Sequence, residues 1–186
     1  MARLGASFVR TSVMGEGSVP PLIEQLVKRY AQDVYRYAYR LTGSAADAED
    51  LTQETFLAAV KNIHQLANPE SARSWLFTIA RNQFLVRHRR GRGTVVCPLG
   101  DQAEEIMVLE SGDSDEVDGE LIQNALNALS DEQRVILLMF YFEEASYREI
   151  AEQLGIPIGT VMSRLSRAKE ALRKKVLAAT RQDSDL

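Results

Sequence analysis

The chain has 186 residues, 45% of them apolar and 26% charged, the balance of an ordinary globular protein. No apolar run approaches the ~20 residues that cross a bilayer, and residues 1–21 lack the basic start and apolar core of a secretory signal, so membrane insertion is not expected. The net charge of −4 is unevenly spread: residues 22–92 carry a balance of +4, residues 93–118 hold eight acids and no base, and residues 119–186 stand at −1.

Residues 1–19 carry glycines and serines with little periodicity and read as a flexible leader. From Leu22 to Leu41 apolar side chains recur at steps of three and four, one face of a long helix that Thr42-Gly43-Ser44 stops. A second helix is expected after Ser44. Asp47, Glu49 and Asp50 fall in its first turns, where carboxylates favour the positive end of the dipole, and Leu51, Thr55, Phe56 and Ala59 line its inner face. Asn68-Pro69-Glu70-Ser71 breaks the chain before a third helix, from about Ala72 to Arg90. Its inward residues are expected to be Trp75, Leu76, Ile79, Ala80 and Leu85, leaving Arg73, Arg81, Arg87, Arg89 and Arg90 for an outer face.

Residues 93–118 combine Pro98, glycines and serines with the eight acids, interrupted by Ile106-Met107-Val108-Leu109, and read as a flexible acidic linker. Helical periodicity returns after Gly119. Leu121 to Leu129 form one helix, and Ser130 with Gln133 makes a capping box for the next, whose body is Val135 to Phe142. Tyr147–Leu154, a turn at Gly155-Ile156-Pro157 and a last helix from about Gly159 to Ala179 follow. No stretch alternates with period two. The expected fold class is all-α: two small helical domains, 20–92 and 119–180, joined by the linker 93–118 and followed by a short tail at 181–186.

Residues 146–161 carry the sharpest local pattern. A helix-turn-helix needs a first helix packed through residues such as Ile150, a small residue where the helices approach, a turn that tolerates glycine, and an apolar anchor in the second helix. Ala151, Gly155 and Val161 supply the last three. The second helix then presents Thr160, Ser163, Arg164, Ser166, Arg167 and Lys169, types that bond bases or phosphates. Arg173, Lys174 and Lys175 extend its basic end. The bland alternative is a helical hairpin with a solvated basic face.

These runs resemble a known family. Leu129-Ser130-Asp131-Glu132-Gln133-Arg134 and Ile156 through Lys169 are similar to the C-terminal promoter-binding domain of extracytoplasmic-function (ECF) sigma factors, a group of the sigma-70 family. Asp47 through Phe56 resembles the segment that docks on the clamp helices of the polymerase largest subunit. Ser74 through Asn82 resembles the helix that engages the promoter −10 element. The resemblance implies an alternative sigma factor that binds core RNA polymerase and directs promoter recognition, melting and initiation. Asp47, Glu49, Asp50, Gln53 and Glu54 would face the polymerase; without the resemblance, N-terminal dipole compensation and solvation would be the better reading of the acids. Asn62, Arg73, Arg81, Asn82, Arg87, Arg89 and Arg90 would serve the −10 strand, with the loop 62–71 receiving a flipped base. Thr160, Ser163, Arg164, Ser166, Arg167 and Lys169 would serve the −35 element. Trp75, at helical spacing with Ile79, reads as core rather than as a stacking platform. An anti-sigma partner is implied as well.

A 26-residue linker averages ~28 Å as a coil and reaches ~85 Å extended, enough for one chain to touch both promoter elements. Its acids would thread near the RNA path in polymerase, or lie on the basic helices of the free protein. The competing reading is a stand-alone helix-turn-helix regulator, which leaves the N-terminal half unexplained and would usually be a dimer. An enzyme is not expected. His64, His88 and the single Cys97 have no metal-ligand spacing or nucleophile–base pattern, and there is no phosphate-binding glycine loop or cofactor motif. One cysteine permits no intrachain disulfide, which suits the cytoplasm.

Overall fold

A computed structural model describes residues 21–89 and 119–184, with side chains over 21–87 and 119–180. The expected leader, Arg90, and the linker with Cys97 lie outside the described residues. The regular elements are α1 (Pro21–Thr42), α2 (Ala45–Asn62), 3-10 turns at Ile63–Gln65 and Pro69–Ser71, α3 (Ala72–Arg89), α4 (Gly119–Asn127), α5 (Asp131–Tyr141), α6 (Tyr147–Leu154) and α7 (Ile158–Ser184). All are helical, as the periodicity requires. They fall into two compact units, α1–α3 and α4–α7.

In the first unit α1 buries Ile23, Leu26, Val27, Tyr30, Val34, Tyr37, Ala38 and Leu41, the stripe read from sequence. Gly43 then takes φ 72°, a left-handed conformation that costs glycine least, and its amide bonds the Tyr39 carbonyl at 2.8 Å. Ser44 restarts the helix by accepting the Asp47 amide. α2 packs on α1 through Ala48, Leu51, Thr52, Thr55, Phe56 and Ala59. The third helix joins them where the Phe77 ring stacks on Tyr37, 4.6 Å between centroids, and where the Gln83 side chain donates to the Glu54 carbonyl.

The rotation of α3 differs from the expected one. Leu76 and Ala80 are buried as read, but Phe77, Phe84 and Arg81 are buried with them, while Trp75, Ile79 and Leu85 are only partly covered. Two phenylalanines seven residues apart set the inner face, and their combined apolar area outweighs a stripe built on Trp75 and Leu85.

The second unit is built around the start of α7, which packs against α4, α5 and α6. Val161, Leu165 and Ala168 meet a core containing Leu126, Leu129, Val135, Ile136, Leu138, Met139 and Ile150. Ser130 and Gln133 form the expected capping box on α5, and Ser146 and Glu149 form another on α6. The two hydrogen bonds from Ser146 hold the Glu149 carboxyl below its usual range. The last helix runs to Ser184, into the segment expected to be a tail, because residues 176–184 contain neither glycine nor proline to end it.

Candidate nucleic-acid interface

The turn between α6 and α7 is fixed by backbone geometry. Gly155 adopts φ 64°, ψ 35°, and the Ile156 amide reaches back to the Ala151 carbonyl at 3.1 Å. This left-handed glycine cap ends α6. Pro157 follows, its carbonyl accepting from the Thr160 and Val161 amides to open α7. Ile150 and Val161 are fully buried between the two helices. The pair is therefore a helix-turn-helix whose second helix turns one side to solvent.

On that side Ser166 and Arg167 are exposed, with Ser163 and Thr160 partly so. Arg167 lies back along the helix, its Nε donating to the Ser163 carbonyl at 3.2 Å, which holds the guanidinium over the Ser163 hydroxyl. Two residues expected on this face are otherwise engaged. Arg164 reaches Glu132 at 3.6 Å on α5. Lys169 turns its ammonium onto the Phe140 and Tyr141 rings, 4.3 and 5.2 Å from their centroids. Phe140 is itself stacked on Tyr147. Sequence spacing could not show this, because the rings come from a different helix.

The first unit redistributes its expected cations more strongly. Arg81, read as an outer-face residue, is 1% exposed. It shares the inner face with Phe77 and Phe84, so it is a buried guanidinium near the Thr78 hydroxyl and not a surface contact. Arg73 lies over the Phe77 ring at 4.8 Å and pairs with Asp33 at 3.5 Å. Arg87 pairs with Glu54, so one residue assigned to DNA and one assigned to polymerase hold each other. Asn62 closes α2, donating to the Ala58 carbonyl and accepting from Gln65. Asn82 is exposed, and the neighbouring Trp75 is partly exposed, not core. The side chain of Arg89 and all of Arg90 lie outside the described residues.

Three of the four acids of α2 stand in solvent, while the fourth, Glu54, is partly exposed and paired with Arg87. Asp47, Glu49 and Asp50 are exposed, and Gln53 is partly exposed. On the same side stands Leu57, 40% exposed, which the sequence reading missed. Its signal was legible: Leu57 falls off the Leu51–Thr55–Phe56–Ala59 row and follows Asp50 and Gln53 at helical steps.

Comparison with known proteins matches residues 26–94 to the model described as Sigma-70 region 2, and residues 119–172 to Sigma-70, region 4. The chain belongs to the sigma-70 family. Within it, the relatives are ECF sigma factors. SigL of Mycobacterium tuberculosis strain H37Rv is 42% identical over 159 residues, covering 82% of this chain and 87% of that one. SigE of Mycolicibacterium smegmatis is 36% identical over 164 residues, 86% of this chain but only 63% of that longer relative. Among solved structures, the sigma factor RpoE in complex with the anti-sigma factor NepR from Bartonella quintana aligns with TM-score 0.62 and 28% identity, over 82% of this chain and 95% of that one. This sigma factor therefore pairs a region 2 that shows acids on α2 with a region 4 built on a helix-turn-helix.

The engagement of Lys169 has a measurable consequence in this sigma factor. Lys169→Met should cost about 0.5–2 kcal/mol of region 4 stability through the lost ring contact and leave the salt dependence of promoter affinity unchanged. Arg167→Met should instead flatten the slope of log affinity against log salt by about one. Anisotropy titrations over a salt series, with thermal melts, check both; a flattened slope for Lys169→Met would return it to the phosphate contacts.

Proposed function

We propose that this sigma factor binds core RNA polymerase through the solvent side of α2 and contacts the promoter with α3 and α7. The observation that carries the reading is the solvent side of α2, where Asp47, Glu49 and Asp50 stand exposed and the partly exposed Gln53 and the exposed Leu57 follow them. Acids followed along the same helix by an exposed apolar side chain suit a basic surface with an apolar pocket beside it. Dipole compensation alone accounts for acids in the first turn but gives Leu57 no reason to be exposed two turns later.

In the −35 element α7 lies in the major groove with Thr160, Ser163, Ser166 and Arg167 toward the DNA, its flank held by the Arg164–Glu132 pair. In the −10 element the residues available to the strand are Asn82, the partly exposed Trp75, and Arg73 and Arg87 after release from Asp33 and Glu54. Arg89 and Arg90 continue the same run in sequence. The linker 93–118 spans the two elements. The protein acts without a cofactor and without catalysing a reaction of its own, in the cytoplasm where polymerase works. An anti-sigma protein, as bound to the Bartonella relative, is the regulatory partner.

The test is a titration of labelled full-length protein with core RNA polymerase, followed by transcription from a library of promoter fragments. Saturable binding and initiation at a common pair of upstream elements are the expected results. A folded chain that binds DNA but not core polymerase would instead be a stand-alone helix-turn-helix regulator.

A further inference from the structure

The solvent side of α7 carries two rows of different chemistry. Ser163, Arg167, Glu170 and Lys174 form a polar and charged row, in which Lys174 pairs with Glu170 at 3.2 Å. Ile158, Met162 and Ser166, at four-residue steps, form a neutral one, and its two large apolar side chains are 50% and 44% exposed. The cation nearest the neutral row is withdrawn from it, since Lys169 lies on the Phe140 and Tyr141 rings. Arg164 is held to Glu132 on the opposite flank. Over Ile158, Met162 and Ser166 the neutral row carries no charge of its own; the next four-residue step reaches Glu170, which is exposed and paired with Lys174.

Apolar surface left in water favours a partner that covers it. The major-groove edges of base pairs offer donors, acceptors and a single apolar group, the C5-methyl of thymine. An unbranched thioether adapts well to such a small target. The row occupies the first three turns of α7, the part of a recognition helix that meets base edges. It stands beside Ser163 and Arg167, which suit hydrogen-bond acceptors and phosphate.

We propose that Met162 reads a thymine methyl group in the −35 element, with Ile158 extending the apolar contact and Ser166 leaving room beside it. The assignment rests on the −35 role of α7 proposed above. It makes at least one A·T pair in that element a determinant recognised through shape and methylation state rather than through hydrogen bonds.

Holoenzyme assembled from the full chain and core polymerase would first select a −35 element from a promoter library randomised in that half. The selected duplex is then rebuilt with deoxyuridine for each thymidine in turn, which removes only the methyl group. At one or two positions the parent holoenzyme should bind about fourfold more weakly, the worth of one buried methyl-sized group. Met162→Ala should bind the thymidine duplex weaker by a similar factor and no longer distinguish deoxyuridine, a coupling that a purely structural role would not produce. Met162→Leu should restore the distinction. Because Met162 is exposed, neither variant threatens the fold. The proposal is overturned by a selected element with no A·T pair, by indifference of the parent to every deoxyuridine, or by a deoxyuridine penalty that persists in Met162→Ala. In those cases a −35 element is still selected, so the role of α7 stands and the apolar row belongs to a protein contact. Failure to enrich any upstream element would overturn the −35 role itself.

Discussion

Arg134→Ala should lower the melting temperature of region 4 by roughly 12–24 °C, from a loss of about 3 kcal/mol in a unit of this size. Arg134 is 7% exposed. Its Nε donates to the Leu126 carbonyl at 3.1 Å, and its Nη2 to the carbonyls of Asn127 and Leu129, each at 3.4 Å. Those carbonyls end α4 and the turn after it, where helical partners have run out. Many helices solve this with a left-handed glycine. Here residues 127–130 read Asn-Ala-Leu-Ser, and a guanidinium from the next helix does the work. Burial pushes the Arg134 guanidinium below its usual range, and Asp131, 3.9 Å away, acts against that shift. The Leu126 carbonyl also accepts from the Leu129 amide at 3.1 Å; removing the side chain takes their guanidinium donor from the Asn127 and Leu129 carbonyls, the costly side of hydrogen-bond energetics. Arg134→Lys should recover part of the loss, since an ammonium gathers its donors on one nitrogen and cannot reach carbonyls that Nε and Nη2 approach from separate positions. Thermal melts by circular dichroism decide it. A drop below about 3 °C for the alanine variant would mean that water replaces the guanidinium.

Reversing Asp47, Glu49 and Asp50 to lysine together should weaken binding to core polymerase at least ~100-fold near 0.1 M salt, at about tenfold or less per charge. The same variant should lose no more than about 1–2 kcal/mol of folding stability, from dipole interactions near the start of α2. The two explanations of these acids therefore separate: a docking surface loses binding with modest loss of stability, and dipole compensation loses stability alone. Glu54 is left out of the triple variant because reversing it would also break its pair with Arg87. The binding loss should grow at lower salt and shrink at higher salt. An anisotropy titration with core polymerase, beside a urea melt, reads both quantities.

Much of the fold was legible because it is local. The buried stripe of α1, the Ser130 capping box and the Gly155 turn each depend on residues within a few positions of one another, and periodicity and capping rules see that range. The site was less legible where side chains answer to another helix. Arg81 looks like one more surface arginine until Phe77 and Phe84 fix the rotation of α3. Lys169 looks like a phosphate contact until α5 brings Phe140 beneath it. Arg73 and Arg87 look available until Asp33 and Glu54 arrive from α1 and α2. Charge assignments made along one helix count cations correctly and place them poorly, since each cation settles on whichever acid or ring the packing supplies.

Region 4 holds itself together from behind. Arg134 closes α4, the core anchors α7 through Val161, Leu165 and Ala168, and Lys169 is fastened to the rings of α5. Met162, Ser163 and Ser166 are left with no part in that scaffold. With α7 in its proposed −35 role, drift at these three positions would change which promoters are read at almost no cost to folding. A duplicated copy of such a gene could therefore acquire a separate set of targets through a few tolerated substitutions, while its polymerase-binding half stays as it was.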